Sequence, residues 1–392
     1  MSFTATDHLH MAQALRLAER GLFTTQPNPR VGCVVAHGDQ VVGSGWHRRA
    51  GGPHAEVFAL REAGERARGA TAYVTLEPCA HHGRTPPCAE ALAAAGVARV
   101  VVAAEDPFPR VAGRGLGMLS DAGIAVEVGL MREAARELNP GFFSRIERGR
   151  PWLRVKLAMS LDGRTALANG RSAWITGEAA RADVQRWRAR SSAILTGSGT
   201  VLADDPRLTV RLAAGEAVSS PGPAGRQGRE ASSADTAPAA GTSFVPPLRV
   251  VLDRHLRTPA GSHVLDGSAP TLVLHGAGAG CADRRFDAVQ CQAVAERDGA
   301  LDLHAVLSLL AARDCNEVHV EAGPTLCGAL FAAGMADELL LYVAPLLLGD
   351  QARPLLRLPT LQDMTGRWQL RCVEQRMLGE DWRLRLRPAA AA

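Results

Sequence analysis

This 392-residue chain has almost no lysine and few aromatic residues. Lys156 is the only lysine among 44 basic residues, and Phe, Trp and Tyr together make up 4% of the sequence. Proteins that bind single-stranded nucleic acid stack bases on aromatic rings, so the scarcity of aromatics argues against that class. The formal net charge of +4 is small for this length and points to no particular partner.

Long apolar segments and a disulfide framework are also lacking. No uninterrupted apolar run approaches the ~18 residues of a membrane-spanning helix. The N-terminus has no basic-then-apolar signal pattern. The eight cysteines are not spaced as in small disulfide-rich domains. We therefore predict a protein without a membrane partner, in a reducing, cytoplasmic location.

The order of predicted elements indicates two α/β domains. Strands alternate with helices in both halves, and a short polar joint at 148–151 separates them. We predict a three-layer domain at 1–149 and a second α/β domain at 150–392. Residues 213–247 are rich in Ala, Gly, Ser and Pro without apolar periodicity, which predicts a disordered surface insertion.

One imidazole and two thiols, those of His54, Cys79 and Cys88, lie within 35 residues, and Glu56 follows the histidine by two positions. A helix beginning at Pro53 is predicted to carry His54 and Glu56 in its first turn. Three such ligands suit zinc, and a fourth position left open suits catalysis. Glu56 would then carry protons beside a metal-activated water. A surface histidine, buried free cysteines or a structural zinc site are the alternatives, but the order and spacing favour a catalytic metal.

The second half has glycine turns between predicted strands and helices. One lies at 197–200 and another at 322–326. Backbone N–H groups at such turns can hold phosphates, and ligands gather at the carboxyl ends of strands in open α/β sheets. Two such turns therefore indicate a dinucleotide, although their spacing is neither the Rossmann nor the Walker pattern.

The motif at 54–56 together with Thr75-Leu76-Glu77-Pro78-Cys79 resembles the cytidine deaminase superfamily. In that pattern two residues separate the cysteines, whereas eight separate Cys79 from Cys88 here. The longer loop, and the segments at 26–32 and 106–115, resemble the bifunctional deaminase/reductase family of riboflavin biosynthesis. Phe108 stands where that family has Asn, which leaves the zinc chemistry unaffected.

This resemblance implies a cytidine-deaminase-like domain followed by a dihydrofolate-reductase-like domain. The implied reactions are zinc-dependent hydrolytic deamination of 2,5-diamino-6-ribosylamino-4(3H)-pyrimidinone 5′-phosphate and NADPH-dependent reduction of the ribosyl to the ribityl side chain. It further implies a homo-oligomer that acts on a small molecule and not on nucleic acid.

The resemblance also implies site residues in the second half, residue by residue. NADP contacts are expected at Ala158, Trp174, Thr200, Asp204, Gly323, Pro324, Thr325, Leu326, Cys327, Gly328 and Ala329. Substrate contacts are expected at Ser172, Arg188, Leu208, Arg211 and Glu321. Arginines such as Arg188 and Arg211 suit bidentate capture of a ribose phosphate. Among 43 arginines, however, one outside a motif is ordinarily a solvated surface residue.

Two other functions remain open from the residues alone. One is a deaminase acting on nucleic acid, with 152–392 as the binding module; the low aromatic content disfavours it. The other is a zinc-stabilised scaffold without activity. The position of Glu56 disfavours that, since a scaffold needs no proton carrier.

Overall fold

The computed structural model describes residues 3–81, 86–109, 111–212, 244–280 and 283–389. These residues form two compact units, one from residues up to 139 together with 244–245, the other from residues 140–212 and 246–389. Most of the predicted insertion, residues 213–243, lies outside the described residues. Among the described helices, none is both long and apolar enough to cross a membrane.

The first unit is built on five strands in the described part of the chain. Their order is β2-β1-β3-β4-β5, in which β1 pairs antiparallel with β2 and β3, and β3, β4 and β5 are parallel. The elements are α1 (Ala5–Glu19), β1 (Gly32–His37), β2 (Gln40–Trp46), α2 (Ala55–Ala63), β3 (Thr71–Val74), α3 (Cys88–Ala94), β4 (Arg99–Val102), α4 (Arg114–Asp121), β5 (Ala125–Val128) and α5 (Arg132–Leu138).

Helices cover both faces of this sheet. On one face Gly32 lets α1 approach so closely that a Cβ there would lie 1.9 Å from the Ala14 carbonyl oxygen. On the other face Cys33 and Val35 join one apolar cluster with residues of α2, α3 and α4. The three-layer α/β prediction is therefore confirmed. Gly45 fixes the start of α2 on the sheet, because a Cβ there would lie 2.4 Å from the Ala55 carbonyl oxygen.

The second unit contains a nine-stranded sheet among the described residues, in the order β11-β10-β9-β8-β14-β6-β15-β18-β17. The strands from β11 to β15 in this order are parallel, and β18 and β17 add antiparallel. The elements are α6 (Pro140–Arg148), β6 (Trp152–Ser160), β7 (Arg164–Ala166), α7 (Glu178–Ala189), β8 (Ala193–Gly197), α8 (Ser198–Asp204), β9 (Leu248–Leu252), β10 (Thr271–Gly276), β11 (Gln290–Val294), β12 (Glu296–Arg297), β13 (Ala300–Leu301), α9 (Leu303–Ala312), β14 (Glu317–Val320), α10 (Pro324–Ala332), β15 (Glu338–Ala344), β16 (Arg353–Pro354), β17 (Leu370–Leu378) and β18 (Asp381–Pro388).

The two faces of the central strand β6 differ in character, as its alternating sequence requires. Leu153 and Val155 lie in the main apolar cluster with residues of α9 and α10. On the opposite face Arg154 is buried between Glu317, at 3.0 Å, and Glu338, at 2.6 Å. The ring of Trp187 on α7 lies 4.4 Å from the Arg154 guanidinium. A buried charge cluster thus lies on this face of the sheet, beside apolar clusters that include Leu340, Tyr342 and Ile194. The second unit is also an α/β arrangement, as predicted.

The structural division of the described chain falls between residues 139 and 140, whereas the sequence places a polar joint at 148–151. The intervening helix α6 packs within the second unit. Gly141 lies against the backbone of Asn316, where a Cβ would be 2.4 Å from its carbonyl oxygen. Arg145 donates from Nε to the Asn316 side chain at 2.7 Å. These contacts are long-range and leave no local mark in the sequence.

Candidate active sites

His54 lies at the N-cap of α2 with an extended backbone, φ −76° and ψ 167°. The prediction that His54 belongs to the first turn of this helix is therefore wrong by one position, because the helix begins at Ala55. Cys88 is the first residue of α3. The backbone N–H of Ala89 donates to the Cys79 carbonyl at 3.2 Å, which ties the segment after β3 to α3.

These elements bring three ligand atoms together. Nδ1 of His54 lies 3.6 Å from Sγ of Cys79 and 3.3 Å from Sγ of Cys88. In a tetrahedral zinc site with ordinary bond lengths, nitrogen and sulfur ligands are about 3.5 Å apart. A hydrogen bond with Cys88, with the His54 ring as a further cause, lowers the pKa of Cys79 to about 4, so a thiolate is available. The donor set and its spacing fit one zinc ion.

Glu56 lies in the first turn of α2 and is 2% exposed. Its Oε2 is buried and has no hydrogen-bond partner among the described residues. Burial raises the pKa of this carboxyl group. It lines a small cavity of about 60 Å³ together with His54 and Cys79. An unpaired carboxylate oxygen beside an open metal position is the arrangement that a proton carrier requires.

Asn28 and His47 line the same cavity, and sequence reasoning did not assign either of them. Nδ1 of His47 donates to the Pro53 carbonyl at 3.0 Å, and burial lowers the pKa of this imidazole. Its Nε2 therefore accepts from Nδ2 of Asn28 at 3.2 Å, and the amide oxygen of Asn28 is left for a ligand. Asn28 belongs to the quoted segment 26–32, so that motif was the available signal.

The segment after β4 also approaches this site. The Asp106 carboxylate accepts the backbone N–H of Phe108 at 2.8 Å, and burial raises the pKa of Asp106 to about 6. The Phe108 ring is partly exposed. Arg110 lies outside the described residues.

A second and much larger cavity, of about 1250 Å³, lies in the second unit. Its walls include the ends of parallel strands β6 and β8 and the segments that follow β9 and β14. Gly197 and Gly323 are the N-caps of α8 and α10, as the glycine turns in the sequence predict. Ligand pockets commonly occupy about 300–1,000 Å³, so this cavity has room for more than one small molecule.

Cationic side chains dominate the wall of this cavity. Nine lysine or arginine residues line it, against the two carboxylates of Asp204 and Glu321. The only lysine of the chain, Lys156, is among them, and burial lowers the pKa of its ammonium group. A cavity with such an excess of positive charge attracts ligands that carry phosphates.

Arg188 and Glu321 form a bidentate ion pair inside the cavity. Nε of Arg188 lies 2.5 Å from one carboxylate oxygen and Nη2 lies 2.7 Å from the other. Nη1 donates to the Thr209 carbonyl at 2.9 Å. This edge of Arg188 is thus occupied by Glu321 and is not open to a phosphate, contrary to the bidentate capture expected from the sequence. Arg211 remains in the wall of the cavity.

Comparison with protein families identifies both halves. Residues 4–104 match the cytidine and deoxycytidylate deaminase zinc-binding region, and residues 151–384 match the RibD C-terminal domain. The riboflavin biosynthesis protein RibD of Escherichia coli K12 is 48% identical over 377 residues, which cover 96% of this chain and 97% of that protein.

The chain belongs to the RibD family.

Solved structures of RibD proteins are similar over the full length. Acinetobacter baumannii RibD superposes with a TM-score of 0.84 at 43% identity, covering 98% of this chain and 99% of that one. The Thermotoga maritima diaminohydroxyphosphoribosylaminopyrimidine deaminase/5-amino-6-(5-phosphoribosylamino)uracil reductase gives a TM-score of 0.81 at 29% identity, with the same coverage. The RibD family combines a zinc-binding deaminase domain with an NADPH-dependent reductase domain, so the family predicted from the sequence, its two activities and its cofactors are confirmed.

Most residues to which the resemblance assigns ligand contacts line the large cavity. This holds for all five expected substrate contacts and for the expected NADP contacts Ala158, Trp174, Thr200, Asp204, Gly323, Pro324, Thr325, Leu326 and Ala329.

Two expected NADP contacts do not line the cavity. The Cys327 side chain is buried in the apolar cluster, and its thiol donates to the Ala322 carbonyl at 3.3 Å. Gly328 lies against the backbone of Arg357, where a Cβ would be 1.9 Å from the carbonyl oxygen. In this structure Cys327 and Gly328 contribute to the packing of α10.

Proposed function

We propose that this chain catalyses two consecutive steps of riboflavin biosynthesis. Residues 1–149 deaminate 2,5-diamino-6-ribosylamino-4(3H)-pyrimidinone 5′-phosphate hydrolytically, and residues 150–392 reduce the ribosyl side chain of the product to ribityl. The observation that carries the proposal is the pair of sites in one chain. One has three zinc ligands beside an unpaired buried carboxylate, and the other is a large cationic cavity.

His54, Cys79 and Cys88 hold the zinc ion in this proposal. Zinc bound there would lower the pKa of a water molecule to near neutrality, and this water would be the nucleophile for the amine-bearing ring carbon. Glu56 takes a proton from the attacking water and delivers it to the ring nitrogen. It then takes the second proton from the hydroxyl group now on the ring carbon and gives it to the amino group, so that the C–N bond breaks and ammonia leaves. The burial of Glu56 raises its pKa and suits it to both taking and giving a proton.

In the second site bound NADPH would supply a hydride to C1′ of the ribosyl group, while the C1′–O4′ bond of the sugar ring breaks and O4′ takes a proton from water. Gly323 to Leu326, at the start of α10, offer backbone N–H groups for the cofactor phosphates. Lys156, Arg211 and Glu321 lie in the same cavity and hold the phosphorylated substrate. The cationic wall keeps two polyanionic ligands together in one cavity, which neutral side chains would not do.

The proposal also includes the class of substrate, the oligomeric state and the cellular location. The substrate is a small molecule, and we propose that nucleic acid plays no part. A homo-oligomeric state and a cytoplasmic location belong to the same proposal and are supported by membership of the RibD family.

The decisive experiment measures both activities in one preparation. With the diaminopyrimidine substrate, zinc and NADPH, the purified chain should release ammonia and then oxidise NADPH. Glu56→Gln should lower ammonia release by about 10²–10⁴-fold, the usual contribution of a general acid–base group. Zinc content should stay at that of the unaltered chain, and NADPH oxidation should persist when the deaminated pyrimidine is supplied.

Glu65→Gln provides the matched control, because Glu65 is exposed beyond the end of the same helix. It should leave both rates unchanged. Deamination at the unaltered rate by Glu56→Gln would overturn the mechanism. Deamination of transfer RNA or single-stranded DNA in place of the pyrimidine would overturn the assignment of substrate.

A further inference from the structure

Glu77 lies two residues before the zinc ligand Cys79 and has no part in the mechanism above. Its side chain is buried, 4% exposed, and it makes three hydrogen bonds to backbone N–H groups. Oε2 accepts from Asp106 at 3.2 Å and from Gly113 at 3.1 Å, and Oε1 accepts from Gly115 at 3.0 Å. A buried carboxylate with three backbone donors forms strong, charge-assisted hydrogen bonds.

The three donors come from both ends of one connection. Asp106 stands just after β4, whereas Gly113 and Gly115 belong to the start of α4. Gly113 is the N-cap of α4, with φ 75° and no side-chain cap of its own, and the first turn of α4 has no acidic residue. Glu77 therefore caps this helix from another part of the chain. The same carboxylate also binds Asp106, so it fixes both ends of the connection.

The same connection is pressed against the segment that carries the zinc ligand. A Cβ on Gly115 would lie 2.0 Å from the Pro78 carbonyl oxygen, so α4 begins in direct contact with 77–78. Glu77 itself lines the small cavity together with His54, Glu56 and Cys79. Glu77 thus links the wall of the deaminase site to the connection that follows β4.

We propose that Glu77 is a positioning residue for the deaminase reaction. Its carboxylate holds the connection between β4 and α4 in the position in which this connection contacts a bound pyrimidine. This proposal rests on the proposed function, because it needs a deaminase substrate in that site. Glu77 touches neither the metal nor the reacting atoms in this proposal, so its loss should weaken substrate binding and leave the chemical step nearly unchanged.

Glu77→Gln tests this, because the amide keeps the shape but replaces one acceptor oxygen by an N–H₂ group that faces backbone donors. We expect KM for the pyrimidine to rise by about tenfold and kcat to change by less than about threefold, the pattern of lost uniform binding. Hydrogen exchange should become faster in peptides that contain Gly113 and Gly115. Zinc content and NADPH oxidation on the deaminated pyrimidine should stay as in the unaltered chain.

The matched control is Glu105→Gln, in the same connection, whose exposed carboxylate makes only a 3.7 Å ion pair with Arg132. It should change neither KM nor exchange. A second variant, Gly115→Ala, leaves Glu77 intact and forces α4 away from Pro78; it should raise KM in the same way. If Glu77→Gln does not fold, the KM of Gly115→Ala for the pyrimidine tests the proposal.

Faster exchange with unchanged KM in either variant would overturn the proposal, since the connection would then not meet the substrate. Loss of zinc from Glu77→Gln would also overturn it, because the residue would then act through the metal ligands. If the unaltered chain releases no ammonia from the pyrimidine, the proposed function fails and this proposal fails with it. If the unaltered chain is active, the variants test Glu77 alone.

Discussion

The two sites of this chain are built in opposite ways. In the first unit the zinc ligands lie between residues 54 and 88, and two of them, His54 and Cys79, line a cavity of about 60 Å³. In the second unit the residues around a cavity of about 1250 Å³ are spread from 156 to 357. A metal ion needs only a few atoms fixed at short distances, and a short motif can supply them. Larger ligands need groups from several strand ends, which only the sheet topology brings together.

The two sites also differ in the charge of the groups that line them. The first site concentrates negative charge, with a Cys79 thiolate whose pKa is lowered to about 4 and the carboxyl group of Glu56. The second has nine cationic groups and two carboxylates. A divalent cation suits the first set and phosphates suit the second. We expect each site to be disabled without loss of the other.

Removal of zinc should have the largest effect and the most selective one. Chelation, or the variant Cys88→Ser, should lower ammonia release by more than about 10³-fold, because zinc lowers the pKa of water from about 15.7 to about 7. NADPH oxidation on the deaminated pyrimidine should change by less than about twofold. Metal analysis measures the zinc content, ammonia release measures deamination, and NADPH absorbance measures reduction. Added zinc should restore ammonia release by the chelated protein.

Cys372→Ser is a suitable control, because Cys372 is an exposed free cysteine of the second unit. It should leave zinc content and both rates unchanged. If zinc removal abolished NADPH oxidation on the deaminated pyrimidine as well, the two sites would not be independent and the comparison drawn here would be wrong.

The difference in construction also explains what the sequence could predict. The sequence could predict His54, Glu56, Cys79 and Cys88 because they form a short motif, in which three of them lie at the start of a helix and Cys79 follows a strand. The cavity residues of the second unit, in contrast, were assigned through the family resemblance. Glycine turns alone indicated only that phosphates bind near 197–200 and 322–326.

Other features were missed for a physical reason. Strand β18 alternates Arg383, Arg385 and Arg387 with leucines, and arginine ordinarily indicates a solvated face. Here these guanidinium groups reach Asp183, Glu374 and Glu338, so a charged stripe is turned inward. Pairing across so many residues cannot be derived from one strand. The same holds for Glu77, whose partners are 29 to 38 residues away.

Breaking the Arg188–Glu321 pair should have the next largest effect, confined to the second unit. Arg188→Met leaves the largely buried Glu321 carboxylate with His319, at 3.3 Å, as a remaining partner. Removing one partner of a buried ion pair typically costs about 3–5 kcal/mol of unfolding free energy. The double variant Arg188→Met, Glu321→Gln removes both charges and should recover most of that loss. Denaturant unfolding of the second unit measures this, with ammonia release as the unaffected reference.

Both variants should still lack reductase activity, because in our proposal Glu321 contacts the substrate and Arg188 holds its carboxylate in place. A double variant with normal stability and normal NADPH oxidation would mean that the pair is purely structural. Recovery of stability without activity would mean that the second site depends on charges that the fold itself does not need.

The smallest effect on stability is expected at Trp174, which is 76% exposed and lines the large cavity. The Arg181 guanidinium lies 4.8 Å from its ring, and otherwise the ring faces open space beside the expected cofactor site. Trp174→Ala should change the unfolding free energy by less than about 0.5 kcal/mol, as exposed substitutions usually do. An aromatic contact contributes about 0.5–1.5 kcal/mol, so KM for NADPH should rise by about two- to tenfold.

Leu347→Ala is the matched control for Trp174, since Leu347 is 71% exposed but does not line the cavity. It should alter neither KM for NADPH nor NADP⁺ binding measured by calorimetry. If Trp174→Ala binds the cofactor as tightly as the unaltered chain, the ring lies outside the cofactor site. Weaker binding of the cofactor, at an unchanged unfolding free energy, would show that the large cavity has binding groups outside the folded interior, unlike the zinc site. Evolution could then vary those groups without cost to the fold.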